Sequence, residues 1–365
     1  MLKGLRYFLL FLLAGGCLEP YTFVVKDEDP RLVVEGSISD KSFNETLEYP
    51  SDGRYFTVKL SLTGDVTNTR RTPVSKAVVE LHSSTGGVWT YTQKETGTFY
   101  LLDDNFRAES GTSYKLHITG PDDAIYESAW EALPPVTGPP MGEIEFVETE
   151  KQIYIMEALN WMLRDIQVVQ TQVNIPVNTA AQPVYYRWTF SPTWIYKAPL
   201  SSVVDPGYIC WATDPNYLST FELQKDISGG YKRDLFLLRT IRNERIFEKL
   251  SVLVVQHSLT ENFYDFWREM KEQNENTALM DTPPYNLKTN FSSTNSSKPV
   301  SGYFGVVSEQ AKRWYFSRSE LSYTVANMLR EDCLQNFGGP PAPECLDCRA
   351  YSFGTATTKK PDWWE

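Results

Sequence analysis

Apolar and polar residues take turns along much of this chain. Phe56, Val58, Leu60 and Leu62 alternate with Tyr55, Thr57, Lys59 and Ser61, the two-residue period of a strand with one buried face. Tyr114, Leu116 and Ile118 repeat the pattern. Further short apolar runs lie at Leu32-Val33-Val34, Ala77 to Leu81, Val88 to Tyr91 and Phe99 to Leu102. Turn signals at Asp52-Gly53, Gly86-Gly87, Gly97 and Gly111 separate them. This spacing predicts a mainly β chain in which residues 31–133 form an immunoglobulin-like or transthyretin-like sandwich without a helix. Pro134, Pro135, Pro139 and Pro140 then interrupt any regular element, so 134–140 reads as a linker. Residues 141–365 read as a larger, strand-rich C-terminal domain. Its candidate strands are Ile166 to Val173, Tyr185 to Phe190 and Leu250 to Val255. One prominent helix is predicted from about Thr260 to Asn274, with capping-box spacing at Ser258 and Glu261. Phe263, Phe266, Trp267 and Met270 share one face of that helix, as expected of a core stripe. The Ser, Thr and Asn content of Lys288 to Pro299 marks a loop.

The chain opens differently. Lys3 and Arg6 precede the apolar run Phe8 to Leu13, and Ala14-Gly15-Gly16 lead into Cys17. That run is far shorter than the ~18–20 residues a membrane-spanning helix needs. The order matches a secretory leader, and its end resembles a lipobox, in which the Cys thiol is acylated and the leader removed in front of it. Residues 1–16 are therefore expected to be a lipoprotein signal peptide, Cys17 the palmitate-type lipidation site, and 17–30 a lipidated tether. Ala14 departs from the commoner Leu. Glu19 and the run Asp27-Glu28-Asp29 add acidity just after the cysteine.

Composition narrows the function. The formal charge is −11, and removing Lys3 and Arg6 with the leader makes it −13. Such acidity argues against nucleic acid, whose phosphates need a basic footprint. Aromatics make up 14% of the chain, which suits sheets and surfaces that stack sugars or grip other proteins. Beside Cys17 there are four cysteines, Cys210, Cys333, Cys345 and Cys348. An even number in an exported chain points to two disulfides in one of three pairings, with metal or redox use of Cys345-Leu346-Asp347-Cys348 as alternatives. His82, His117 and His257 are widely spaced and no HExxH pair occurs. Nucleophile elbow, phosphate loop and dinucleotide fingerprint are also missing. Asp103-Asp104 and Asp122-Asp123 sit beside turn residues and read as loop tips. No catalytic, cofactor or metal residue is therefore assigned, and an enzyme is not expected.

Several segments together carry a family resemblance. They are Cys17 to Pro20, Leu32 to Ile38, Pro73 to Val79, Gly97 to Tyr100, Gly111 to Ile118 and Tyr126-Glu127-Ser128. Later come Phe263 to Trp267, Gly302-Tyr303-Phe304-Gly305, Cys345 to Cys348 and Lys360 to Trp364. In this order they resemble the Bacteroidota outer-membrane lipoproteins grouped as domain of unknown function 4249. The resemblance implies a lipid-anchored outer-membrane protein, on the cell surface or the periplasmic face, that serves a TonB-dependent (SusC-like) receptor in nutrient uptake. It implies no established ligand and no catalytic residues. A structural or adhesive surface protein and an unrecognised hydrolase are the alternative readings.

Overall fold

One long strand shows how the molecule is organised. From Val300 to Phe316 its even-numbered side chains Phe304, Val306, Trp314 and Phe316 enter two buried cores, while odd-numbered Tyr303 and Val307 pack under a helix. The structure is a computed structural model that describes residues 30–63, 72–157, 160–180, 182–275, 287–294, 298–335 and 339–365. The leader, Cys17 and nearly all of the tether lie outside the described residues.

In chain order the strands before the proline seam are β1 (Leu32–Ser39), β2 (Phe56–Leu62), β3 (Thr72–Pro73), β4 (Val78–Ser83), β5 (Val88–Thr90), β6 (Thr92–Glu95), β7 (Thr98–Leu101), β8 (Ser113–Thr119), β9 (Ile125–Ser128) and β10 (Glu131–Ala132). After it come β11 (Ile144–Glu157), β12 (Asn160–Ile175), β13 (Val184–Lys197), β14 (Ile209–Thr213), β15 (Glu222–Asp226), β16 (Tyr231–Arg239), β17 (Leu250–Leu259), β18 (Phe291–Ser293), β19 (Val300–Phe316) and β20 (Thr355–Thr357). The α-helices are α1 (Phe43–Glu48), α2 (Glu261–Glu275), α3 (Leu329–Leu334) and α4 (Pro343–Leu346). The protein is mainly β, sandwich-like, with one longer helix.

An 11-stranded sheet runs β20-β14-β13-β17-β19-β1-β2-β7-β6, with β15 and β3 at its sides. A 6-stranded sheet, β18-β9-β8-β4-β5 with β10, covers one end of it, and a 3-stranded sheet, β11-β12-β16, accompanies the other end. Between the first two lies a core of Val34, Val58, Leu81, Leu116, Ile118 and Phe304. Between the large sheet and β12 and β16 lies a second core with Val169, Trp188, Trp194, Leu238, Val254 and Phe316.

Strands from both sides of the seam therefore share one sheet. β1 runs parallel to β19, from Leu32 opposite Val300 to Ser39 opposite Val307, and β18 pairs with β9. Phe291, Phe304 and Val306 belong to the N-terminal core. The seam itself lies against the large sheet, where Gly138 N–H donates to Ser258 Oγ at 3.2 Å and Gln310 Nε2–H to the Pro139 carbonyl at 3.3 Å.

Local differences from the pattern have plain causes. Residues 31–133 do contain a short helix, α1, with a full capping box. Ser42 N–H donates to Glu45 Oε2 at 2.8 Å and Glu45 N–H to Ser42 Oγ at 3.2 Å. The Lys288 to Pro299 stretch includes β18, anchored by buried Phe291. The expected box at Ser258 and Glu261 does not form. Ser258 lies within β17 and accepts from Gly138, while Glu261 accepts from the Tyr185 hydroxyl at 2.6 Å. The stripe on α2 packs where expected, with Phe263 and Phe266 on Tyr303. Gly305 makes this possible, because a Cβ there would collide with the Phe263 ring.

Among the three pairings, the structure joins Cys210 to Cys348 and Cys333 to Cys345. The first closes a separation of 138 residues, a loop worth ~4–5 kcal/mol in the chain-entropy account. It ties the C-terminal segment to β14 at the edge of the second core.

Candidate functional site

The odd-numbered face of the large sheet is covered at one end by α2. Next to the helix it opens into a cleft of about 470 Å³, within the range of roughly 300–1,000 Å³ typical of small-molecule sites. Its floor is Thr189, Ser191 and Thr193 of β13, Leu253, Val255 and His257 of β17, and Glu309 and Arg313 of β19. Strand period and register bring these together, since Arg187 lies opposite His257 and His257 opposite Glu309. One wall is the end of α1 and the turn after it, from Thr46 to Arg54, and the far rim is Thr213-Asp214-Pro215. The turn is set by Gly53, at φ 76°, and by Arg54 N–H donating to Thr46 Oγ1 at 3.0 Å.

A charged row crosses the floor beside the helix. Arg54 pairs with Glu309 Oε2, and His257 Nε2 lies 3.3 Å from the same oxygen. Burial would raise the Glu309 carboxyl, but Arg54 and the His257 hydrogen bond outweigh it and hold it well below the usual carboxylate range. Burial also depresses the His257 pKa, which leaves a neutral ring donating Nε2–H to the carboxylate. The Glu309 N–H and the Ser308 hydroxyl each donate to Asp40 at 2.8 Å, and the Tyr49 hydroxyl donates to the Glu309 carbonyl at 3.3 Å. Arg187 continues the row under α2, stacked 3.8 Å from the Trp267 ring centre and 5.0 Å from that of Phe221. Burial lowers its pKa to about 9, so it remains a cation at neutral pH.

The C-terminal tail closes the other side. The Arg313 guanidinium sits 3.5 Å from the Trp363 ring centre and donates to Ser251 Oγ at 3.0 Å and to the Pro50 carbonyl. Trp363 Nε1–H donates to Asp52 Oδ1 at 2.9 Å, and the Tyr315 hydroxyl donates to the Trp363 carbonyl at 3.3 Å. Trp364 is buried against Trp211 and Tyr315. Hydroxyls and mutually paired charged groups thus alternate with the apolar surfaces of Pro192, Pro215, Leu253, Val255 and Trp363, and the surface open to the cleft is mostly apolar. Such a lining can hold a small, mainly apolar ligand that carries a few polar groups.

The residues singled out in the sequence lie elsewhere. Cys17 is outside the described residues, and Cys210, Cys333, Cys345 and Cys348 form disulfides away from the cleft. Asp103 accepts from the N–H groups of Asn105 and Phe106, both at 3.0 Å, and Asp122 pairs with Lys298, so both acidic pairs stabilise loops. Among the described residues no group of three or more His, Cys, Asp or Glu is placed to hold a metal ion. No described helix is long and apolar enough to cross a membrane. The cleft residues were not found from sequence because no two of its walls are local to one another. The nearest signal was the polar alternation Arg187, Thr189, Ser191, Thr193 within an aromatic strand.

Residues 18–313 match the profile of the family described as a domain of unknown function, DUF4249. A comparison with curated proteins finds no match. The crystal structure of a DUF4785 family protein from Legionella pneumophila aligns with 62% of this chain at 12% identity and a TM-score of 0.15. The aligned part spans about half of that structure, 52%.

Proposed function

The chain belongs to the DUF4249 family, and from that premise we propose that it is an outer-membrane lipoprotein that binds a small ligand for a TonB-dependent, SusC-like receptor. The cleft over β13, β17 and β19 is the observation that carries the binding role, because it has the volume and mixed lining of a ligand site. The anchor rests on the leader ending at Cys17 and on the acyl chains such a cysteine receives. The cleft is the ligand site, and the acyl chains hold the protein near its receptor.

Protein purified from its own membranes in mild detergent, followed by native mass spectrometry, tests both parts. The wild type should carry a small molecule that is absent from Ser191→Trp, whose indole fills the cleft floor while the fold and melting temperature are kept. An empty wild type, or equal loading of the variant, overturns the binding role. Cys17→Ser should abolish labelling of the protein by a fatty-acid probe, and labelling that persists in the variant overturns the anchor.

A further inference from the structure

β11 and β12 form a ladder that continues well past its support. Their pairing runs from Ile144 opposite Val173 to Glu157 opposite Asn160, whereas β16 joins β12 only from Val168 onward. Gln167 is still held by Thr240 and Ile166 is buried, so the outer six pairs, from Gln152 opposite Asp165 onward, are the free two-stranded arm, ~20 Å long at ~3.3 Å per residue.

The end of this arm is apolar on both faces. On one face Tyr154 lies opposite Leu163 and Met156 opposite Trp161, and these four are 61%, 46%, 57% and 66% exposed. On the other face Ile155 lies opposite Met162, with Ile153 beside them. Charged residues return just below, at Lys151, Arg164 and Asp165. A two-stranded ribbon is marginal in water, and one carrying exposed Trp, Tyr, Met and Leu marks a contact surface.

Area and geometry choose the occupant. The four side chains of the first face offer roughly 500 Å² per copy, so two arms face to face would bury roughly 1,000 Å², below the ~1,200–2,000 Å² of a stable interface. A second copy would also leave Ile153, Ile155 and Met162 in water. A lipid surface covers both faces at once. Its hydrated headgroup layer can serve the unpaired strand edges, which the hydrocarbon core cannot. Trp and Tyr are favoured at that depth. From Trp161 to Arg164 the apolar end is ~10 Å long, close to the ~5–10 Å that interfacial segments insert. We propose that the β11–β12 arm is a membrane-surface probe that inserts Tyr154, Met156, Trp161, Met162 and Leu163 into the headgroup layer of a bilayer.

The test uses the full chain carrying Cys17→Ser, so no acyl group contributes and failure bears on the arm without touching the reading of Cys17. Large unilamellar vesicles of phosphatidylethanolamine and phosphatidylglycerol are the probe. The protein should sediment with them, and adding Trp161→Ser with Leu163→Ser should weaken partitioning at least about tenfold while melting is unchanged. Val203→Ser with Val204→Ser, two exposed apolar residues elsewhere, should leave partitioning intact. Brominated lipids should quench an emission component that Trp161→Phe lacks. Absence of sedimentation, equal sedimentation of the arm variant, or arm-dependent dimers in solution without vesicle binding each overturn the proposal.

Discussion

At the residue scale the consequential group is the buried pair of His257 and Glu309, because each has a folded-state proton affinity unlike its unfolded one. His257 is held below its ordinary value of 6.5 by burial. As pH falls below about 6.5 the unfolded chain takes up a proton that the folded chain refuses. This contribution to stability is complete above that pH and is lost below it. Glu309 is depressed by Arg54 and His257 against burial, so its contribution is present above about 4.5 and is lost on further acidification. The melting temperature should therefore fall from pH 7 to pH 5, and His257→Gln should flatten that slope in calorimetry. Glu309→Gln should cost about 2 kcal/mol at pH 7, since it takes the ionic acceptor from both Arg54 and His257, and should flatten the slope below pH 4.5. An unchanged slope in His257→Gln would show that the ring titrates in solvent. None of this was legible beforehand. His257 was visible only as an isolated histidine, and its partner lies 52 positions away on a neighbouring strand.

At the element scale, what could be read from the sequence depended on how many faces of an element are buried. β2 and β8 alternate cleanly because only one face is dry, and Phe56, Val58, Leu60, Tyr114, Leu116 and Ile118 are all core residues. The end of β11–β12 shows no such contrast, since Ile153, Tyr154, Ile155 and Met156 point in both directions without a core on either side. α1 is six residues long, too short for an apolar stripe, and its only signal was Ser42 with Glu45 at capping-box spacing. The tail is a clearer case, because two adjacent indoles at a terminus call for cover. Trp364 is buried while Trp363 lines the cleft under Arg313. Deleting Trp363 to Glu365 should cost ~3–5 kcal/mol, the usual loss for a buried Trp, and lower the melting temperature by several degrees. It should also weaken loading of the cleft, because one wall is gone. Unchanged melting of the truncated protein would mean the tail is bound only loosely.

At the scale of the whole molecule, the seam at 134–140 separates stretches of sequence that share one sheet. The pattern of residues 31–133 is that of a sandwich, yet two of its strands come from beyond the seam, with Val300 of β19 opposite Leu32 and Phe291 of β18 opposite Ser128. The missing parts are substantial. Without β19, β1 loses its parallel neighbour along eight positions, from Leu32 to Ser39, leaving a bare edge of Val-rich strand. Such an edge invites pairing with other chains. Without Phe291, Phe304 and Val306 the N-terminal core also loses three buried side chains, each worth ~1.5–3 kcal/mol of burial. Those losses are comparable to the whole stability of an ordinary domain, ~5–15 kcal/mol. A fragment of residues 30–140 should therefore aggregate or melt without cooperativity. Co-expression with residues 141–365 should rescue it, because the second piece restores both β18 and β19. Parallel pairing of chain ends also requires closing a very long loop before the contact forms, so refolding should be slow compared with sandwiches built from adjacent strands. A soluble 30–140 fragment that melts cooperatively on its own would show that β1 does not need β19, and that the seam is a true domain boundary.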